Sequence, residues 1–120
     1  MEYVISLCIE GGQADDGKTF VSAVIDNASF KRLQSRLSEA KTNKDYNVLV
    51  GGECDDSVGY FIQPTIVEVS DPKSAFMQEE MFGPILTIYP YPDSEVEATM
   101  KLINETSPYS LTGSIFAHDE

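Results

Sequence analysis

One hundred and twenty residues, 42% of them apolar and 23% charged, suit one small domain that can bury roughly two-thirds of its unfolded surface. Twenty acidic residues against 8 basic ones leave a net charge of −12, so nucleic acid and anionic membrane are poor partners. Cys8 and Cys54 are the only cysteines and form no CxxC pair. That excludes a disulfide-stapled scaffold and a cysteine-rich zinc site, and reduced thiols in an intracellular compartment are expected.

The opening MEYVISLCI is expected as a strand. It is too short to span a bilayer, starts with Glu2 where a secretory leader carries positive charge, and lacks the Arg-rich character of a transit peptide. The following GGQADDGKT reads as an exposed loop, and FVSAVI as a short β-branched strand or a buried entry, ending at Asp26. Asp26 is positioned to cap a helix, because Phe30, Leu33, Leu37 and Ala40 recur at helical spacing behind it. A polar connection and the strand VLV lead to Gly51-Gly52, whose permissive backbone suits a turn.

YFIQPTIVEV is rich in aromatic and β-branched residues and should be extended, at an edge or interrupted at Pro64. Asp71 followed by Pro72 resembles a cap and first helical residue, predicting a short helix through Met77 to Met81 that Gly83-Pro84 ends. PILTIYPY reads as a strand. Ser94 and Glu97 then form the S-x-x-E pattern of a capping box, and Val96, Met100 and Ile103 predict an amphipathic helix from Glu95 to about Asn104. SLTGSIFA is expected as a last strand, with the chain ending at Glu120 as though a larger fold continued. Alternating strands and helices argue for an α/β layer with partly parallel pairing.

Residues 12–19, GQADDGKT, match the phosphate-binding pattern G-x-x-x-x-G-K-[ST], with Gly12, Lys18 and Thr19 in its key positions. The context opposes it. Asp15 and Asp16 would bring negative charge into an anion nest, and the strand-forming FVSAVI follows where a helix is needed. His118 is the only histidine, so a histidine-based site lacks a partner. The Asp15-Asp16 and Asp55-Asp56 doublets lack calcium-loop spacing and read as loop acids. Cys54, in a polar turn without a basic neighbour, and Cys8, in an apolar strand, are not expected to be nucleophiles.

The run QEEMFGPIL at residues 78–86 closely resembles the E-E-[IM]-F-G-P-[VI] signature of the aldehyde dehydrogenase superfamily. FVSAVIDNASFKRL, VLVGGECDDSVGYFIQPTIVEVSDP and ILTIYPYPD further resemble segments of the delta-1-pyrroline-5-carboxylate dehydrogenase family. The resemblance runs from about residue 20 to residue 120. It makes residues 1–19 a divergent strand and loop and residues 20–120 a partial catalytic domain, with an α/β fold, a mostly parallel sheet and flanking helices.

The resemblance implies NAD-dependent oxidation of L-glutamate gamma-semialdehyde, formed from pyrroline-5-carboxylate, to glutamate in proline catabolism. In this superfamily a cysteine thiolate attacks a small-molecule aldehyde, and hydride passes to the nicotinamide. Glu80 corresponds to the glutamate that binds the nicotinamide ribose, and Phe82 to the phenylalanine lining the nicotinamide pocket. The superfamily's nucleophilic cysteine, general-base glutamate and Gly-rich cofactor turn have no counterpart here, so neither a catalytic residue nor a metal ligand is assigned. Tyr109-Ser110-Leu111 stands where members usually carry Tyr-Gly-Leu. The chain thus resembles a slice of a catalytic domain, inactive and not expected to bind NAD by itself, with the mitochondrial matrix as the implied compartment. Two alternatives remain: a non-enzymatic module that associates with full-length dehydrogenase subunits, and a small P-loop nucleotide binder at residues 12–19.

Overall fold

A computed structural model describes residue 19, residues 21–109 and residues 111–116. The expected opening strand, Cys8, Lys18, Ser110 and His118 lie outside the described residues, as does the P-loop-like run apart from Thr19. Val21 forms a single bridge and residues 22–25 are irregular, with Ile25 exposed rather than paired in a strand. The Val24 N–H donates to the Tyr60 carbonyl at 2.9 Å, anchoring this entry to the domain.

Helix α1 (Asn27–Thr42) begins at Asp26, whose Oδ1 accepts from the Ser29 N–H at 2.7 Å. The cap satisfies a donor that a helix end otherwise leaves open. Phe30, Leu33, Leu37 and Ala40 are all buried, so the predicted stripe is the face that packs inward. Each such side chain contributes about 1.5–3 kcal/mol through burial, Ala40 less.

Strand β1 (Tyr46–Val50) runs into Gly51 and Gly52, whose φ values of 76° and 91° fall in the left-handed region that glycine tolerates. Any Cβ at Gly51 would stand 2.1 Å from the Pro64 carbonyl oxygen, so this approach also needs the missing side chain. A short hairpin of β2 (Cys54–Asp55) and β3 (Phe61–Ile62) follows, then β4 (Thr65–Val69). The expected interruption at Pro64 is the gap between β3 and β4.

Helix α2 (Ala75–Gln78) is a single turn, capped at Ser74 and not at Asp71. Asp71 instead accepts from the Lys73 N–H at 2.8 Å, spending its carboxylate on a turn before the helix. The helix stops at Gln78, short of the predicted Met81. After β5 (Ile85–Ile88), a 3-10 turn (Asp93–Glu95) enters α3 (Val96–Thr106). The Glu95 N–H bonds the Pro92 carbonyl at 2.8 Å, which draws Ser94 into the 3-10 turn, and the expected capping box does not form.

The main sheet has the order β1-β4-β5. Pairing is mixed rather than mostly parallel: β4 and β5 are parallel, whereas β1–β4 and β2–β3 are antiparallel. The antiparallel pairs arise where the chain folds back on itself, β2 to β3 through residues 56–60 and β1 to β4 through residues 51–64, which contain that hairpin; the parallel pair needs the α2 crossover. Phe30, Leu33, Leu37 and Ile62 form one buried cluster, and Ala40, Val67, Val69 and Phe76 a second. Met81 and Ile85 pack against both and join them.

The apolar face of α3 is a different case. Thr99 is buried and Leu102 and Thr106 are half-buried, whereas Val96, Met100 and Ile103 are 47%, 45% and 60% exposed. At 100° per residue the inward line sits roughly a quarter-turn from the predicted apolar line. Residues 111–116 have no strand, and Leu111, Ile115 and Phe116 are almost fully exposed. The face of α1 is covered by this chain's own sheet, whereas among the described residues α3 and residues 111–116 carry uncovered apolar surface.

Candidate functional site

The segment linking α2 to β5 leaves its helix for a physical reason. Glu79 is already extended, with φ −93° and ψ 137°, although its N–H still bonds the Ala75 carbonyl at 2.9 Å. Leaving the helix there lets Met81 insert between the two core clusters. Beyond it, Gly83 lies against α1, where a Cβ would come within 2.5 Å of Leu33 Cδ1.

Phe82 sits between these two inward-held residues and adopts φ 51°. A left-handed conformation costs a non-glycine residue on the order of 1–2 kcal/mol. Its side chain is nevertheless 76% exposed, so no burial of the ring offsets the strain. The far end of the segment is tied down as well: the Ile85 N–H bonds the Gly83 carbonyl at 2.8 Å, and the Thr65 N–H bonds the Pro84 carbonyl at 2.9 Å.

Glu80 and Phe82 line the same open cleft, of about 410 Å³, together with Phe76, Glu79, Met81, Gly83, Ile85 and Thr87. The glutamate doublet is divided in use. Glu79 pairs with Arg36 of α1, which also binds Glu39 at 2.9 Å. The Arg36 guanidinium is held above its ordinary value by its hydrogen bonds to Glu39 and then Glu79. Among the described residues Glu80 is exposed and has neither a hydrogen bond nor an ion pair, so both carboxylate oxygens can accept donors from a ligand. Arg32 donates to the Met81 carbonyl at 3.2 Å. No motif marks Arg32 and Arg36; their only sequence signal is a spacing of four on a helix that also carries the core stripe.

Cys54 lies in β2, not in a polar turn, and packs against the first core cluster. Lys41 is close enough to favour its thiolate, contrary to the expected lack of a basic neighbour, but burial outweighs it and raises the thiol above its ordinary value. Lys41 is itself paired with Glu53 at 2.7 Å. The thiol is thus the neutral-pH form. Asp55 accepts from the Ser57 N–H at 2.9 Å, and the Ser57 hydroxyl and then this N–H hold its carboxyl below the ordinary value. Among the described residues no group of three or more His, Cys, Asp or Glu side chains could hold a metal ion.

The sequence model described as "Aldehyde dehydrogenase family" matches residues 6–120. The match starts upstream of residue 20, so the P-loop-like run lies inside the family span and not outside it. Delta-1-pyrroline-5-carboxylate dehydrogenase, mitochondrial, of Dictyostelium discoideum is 56% identical over 106 residues, covering 88% of this chain and 19% of the relative. The Bos taurus protein of the same name is 49% identical over 110 residues, covering 92% of this chain and 20% of the relative. Among solved structures, Delta-pyrroline-5-carboxylate dehydrogenase from Mycobacterium tuberculosis bound with NAD superposes with a TM-score of 0.83 at 34% identity, covering 98% of this chain and 21% of that one. The chain therefore spans about a fifth of the length of the relatives it matches.

Proposed function

The chain belongs to the aldehyde dehydrogenase family, and on that premise we propose that the Glu80–Phe82 cleft is the nicotinamide-facing wall of an NAD-dependent aldehyde-oxidising site. The reading rests on one observation above the others: of two adjacent glutamates, Arg36 occupies Glu79 and leaves Glu80 open beside a solvent-presented Phe82 in one cleft. These residues fit the group. A free carboxylate can accept both hydroxyls of a ribose, and an exposed aromatic face can restrict the position of a flat ring.

When bound, NAD supplies the hydride acceptor. Glu80 holds the sugar and Phe82 limits where the ring can lie, while the thiol nucleophile and the remaining nucleotide contacts come from polypeptide beyond these residues. The substrate we assign is L-glutamate gamma-semialdehyde, oxidised to glutamate in proline catabolism, and the compartment is the mitochondrial matrix. Both assignments are supported by relatives that carry the dehydrogenase name and the word mitochondrial.

The test is a chimera in which this chain replaces the corresponding fifth of the Dictyostelium relative. The expected result is NAD-dependent oxidation of the semialdehyde, with Glu80→Gln raising KM for NAD about tenfold through loss of a charge-assisted hydrogen bond. A folded chimera whose KM for NAD ignores Glu80→Gln contradicts the proposal.

A second reading, docking onto a dehydrogenase subunit without turnover, draws on the uncovered Val96, Met100 and Ile103 of α3. Co-purification of this chain with a full-length dehydrogenase supports it. Elution of the chain as a lone monomer in the presence of that enzyme contradicts it.

A further inference from the structure

The segment at residues 79–83 is fastened to one face of α1 at alternate positions. Glu79 is held by Arg36, the Met81 carbonyl by Arg32 at 3.2 Å, and Gly83 by its close approach to Leu33. The residues between them, Glu80 and Phe82, are exposed; Glu79 is exposed as well, but its carboxylate is engaged by Arg36. Arg32, Leu33 and Arg36 are neighbours on the helix surface, so one face of α1 provides all three fastenings. Arg36 also changes the electrostatics. In a chain with a net charge of −12, pairing with Arg36 offsets the charge of one of the two adjacent carboxylates that line a cleft meant for an anionic dinucleotide.

From this arrangement we infer that Arg36, assisted by Arg32, is the positioning residue of the cleft: it withdraws Glu79 from the ligand and fixes the loop so that Glu80 and Phe82 are presented together. The inference rests on the nicotinamide-ribose reading and deepens it. A partly exposed ion pair adds at most about 1 kcal/mol to stability, so the effect belongs to the order of the loop and not to folding as a whole.

The experiment compares wild type, Arg36→Lys, Arg36→Gln, Glu79→Gln and the double variant Arg36→Gln/Glu79→Gln in the full chain. Backbone NMR order parameters at residues 79–83 and thermal midpoints are measured without any ligand. In Arg36→Gln and Glu79→Gln alike, order at Glu80 and Phe82 should fall from near 0.85 to below about 0.6 while the midpoint moves by only a few degrees. The double variant should be no looser than either single one, and Arg36→Lys should recover part of the order. In the dehydrogenase chimera, Arg36→Gln should raise KM for NAD about three- to fivefold and leave KM for the aldehyde unchanged. Unchanged order in Arg36→Gln overturns the inference, as does a parallel rise of both KM values. If the loop loosens as expected while the wild-type chimera lacks NAD-dependent turnover, the Arg36 fastening stands and the nicotinamide reading is what falls.

Discussion

At Phe82 a left-handed backbone, φ 51°, coincides with a ring that is 76% exposed. Strain of this kind persists where surrounding structure enforces it, here Met81 inserted in the core on one side and Gly83 flush with Leu33 on the other. Phe82→Asn should therefore stabilise the chain by about 0.5–1 kcal/mol in urea unfolding, because asparagine tolerates this conformation and little burial is lost. Gly83→Ala should cost about 1–3 kcal/mol by pushing a methyl into buried Leu33. Equal and opposite results would mean that the turn is not set by these contacts. Asp26 supplies a pH-dependent prediction. Its carboxyl lies below its ordinary value because the Ser29 N–H and then the Ser29 hydroxyl bond its charged form. A depressed folded value means that the stabilisation is complete above the unfolded value, about 4, and is lost as pH falls through the lower folded one. Thermal midpoints of wild type should fall toward those of Asp26→Asn between about pH 5 and pH 3; parallel curves would contradict the assignment.

Apolar periodicity predicts both α1 and α3, α1 more clearly, yet only α1 uses its apolar line for the core. Leu37→Ala should accordingly cost about 2–4 kcal/mol. Changing Val96, Met100 and Ile103 together to Gln should cost less than about 1 kcal/mol and reduce self-association on a sizing column. A large loss of stability in that triple variant would show that the face is covered. The contrast explains what could be read in advance. Asp26 as a cap, the α1 stripe, the Gly51-Gly52 turn and the break at Pro64 are local matters of backbone and periodicity, and they hold. Other elements depart from the expectation: α2 ends early where Met81 inserts between two clusters, Ser94 loses its cap to a local 3-10 turn, and among the described residues, 21–25 form only the Val21 bridge while 111–116 form no strand. Glu80 and Phe82 are proposed through their motif and share one cleft, whereas Arg32 and Arg36 stand out only once α1 and the linking segment lie side by side.

On the scale of the molecule, two facts meet: the chain spans about a fifth of its relatives, and its described surface carries a bare apolar helix face and an exposed tail with Leu111, Ile115 and Phe116. Its core is nevertheless self-contained, closed by α1 over β1, β4 and β5, and one edge of that core holds the cleft. The proposed role, in which this core presents Glu80 and Phe82 together to a coenzyme, is compatible with both facts. The most direct measurement of that claim is a structure of the dehydrogenase chimera with NAD bound. The account predicts both hydroxyls of the nicotinamide ribose about 2.6–3.0 Å from the Glu80 carboxylate, with the ring alongside Phe82 and Glu79 still on Arg36. A ribose seated on Glu79, or a nicotinamide lying away from this cleft, would contradict it.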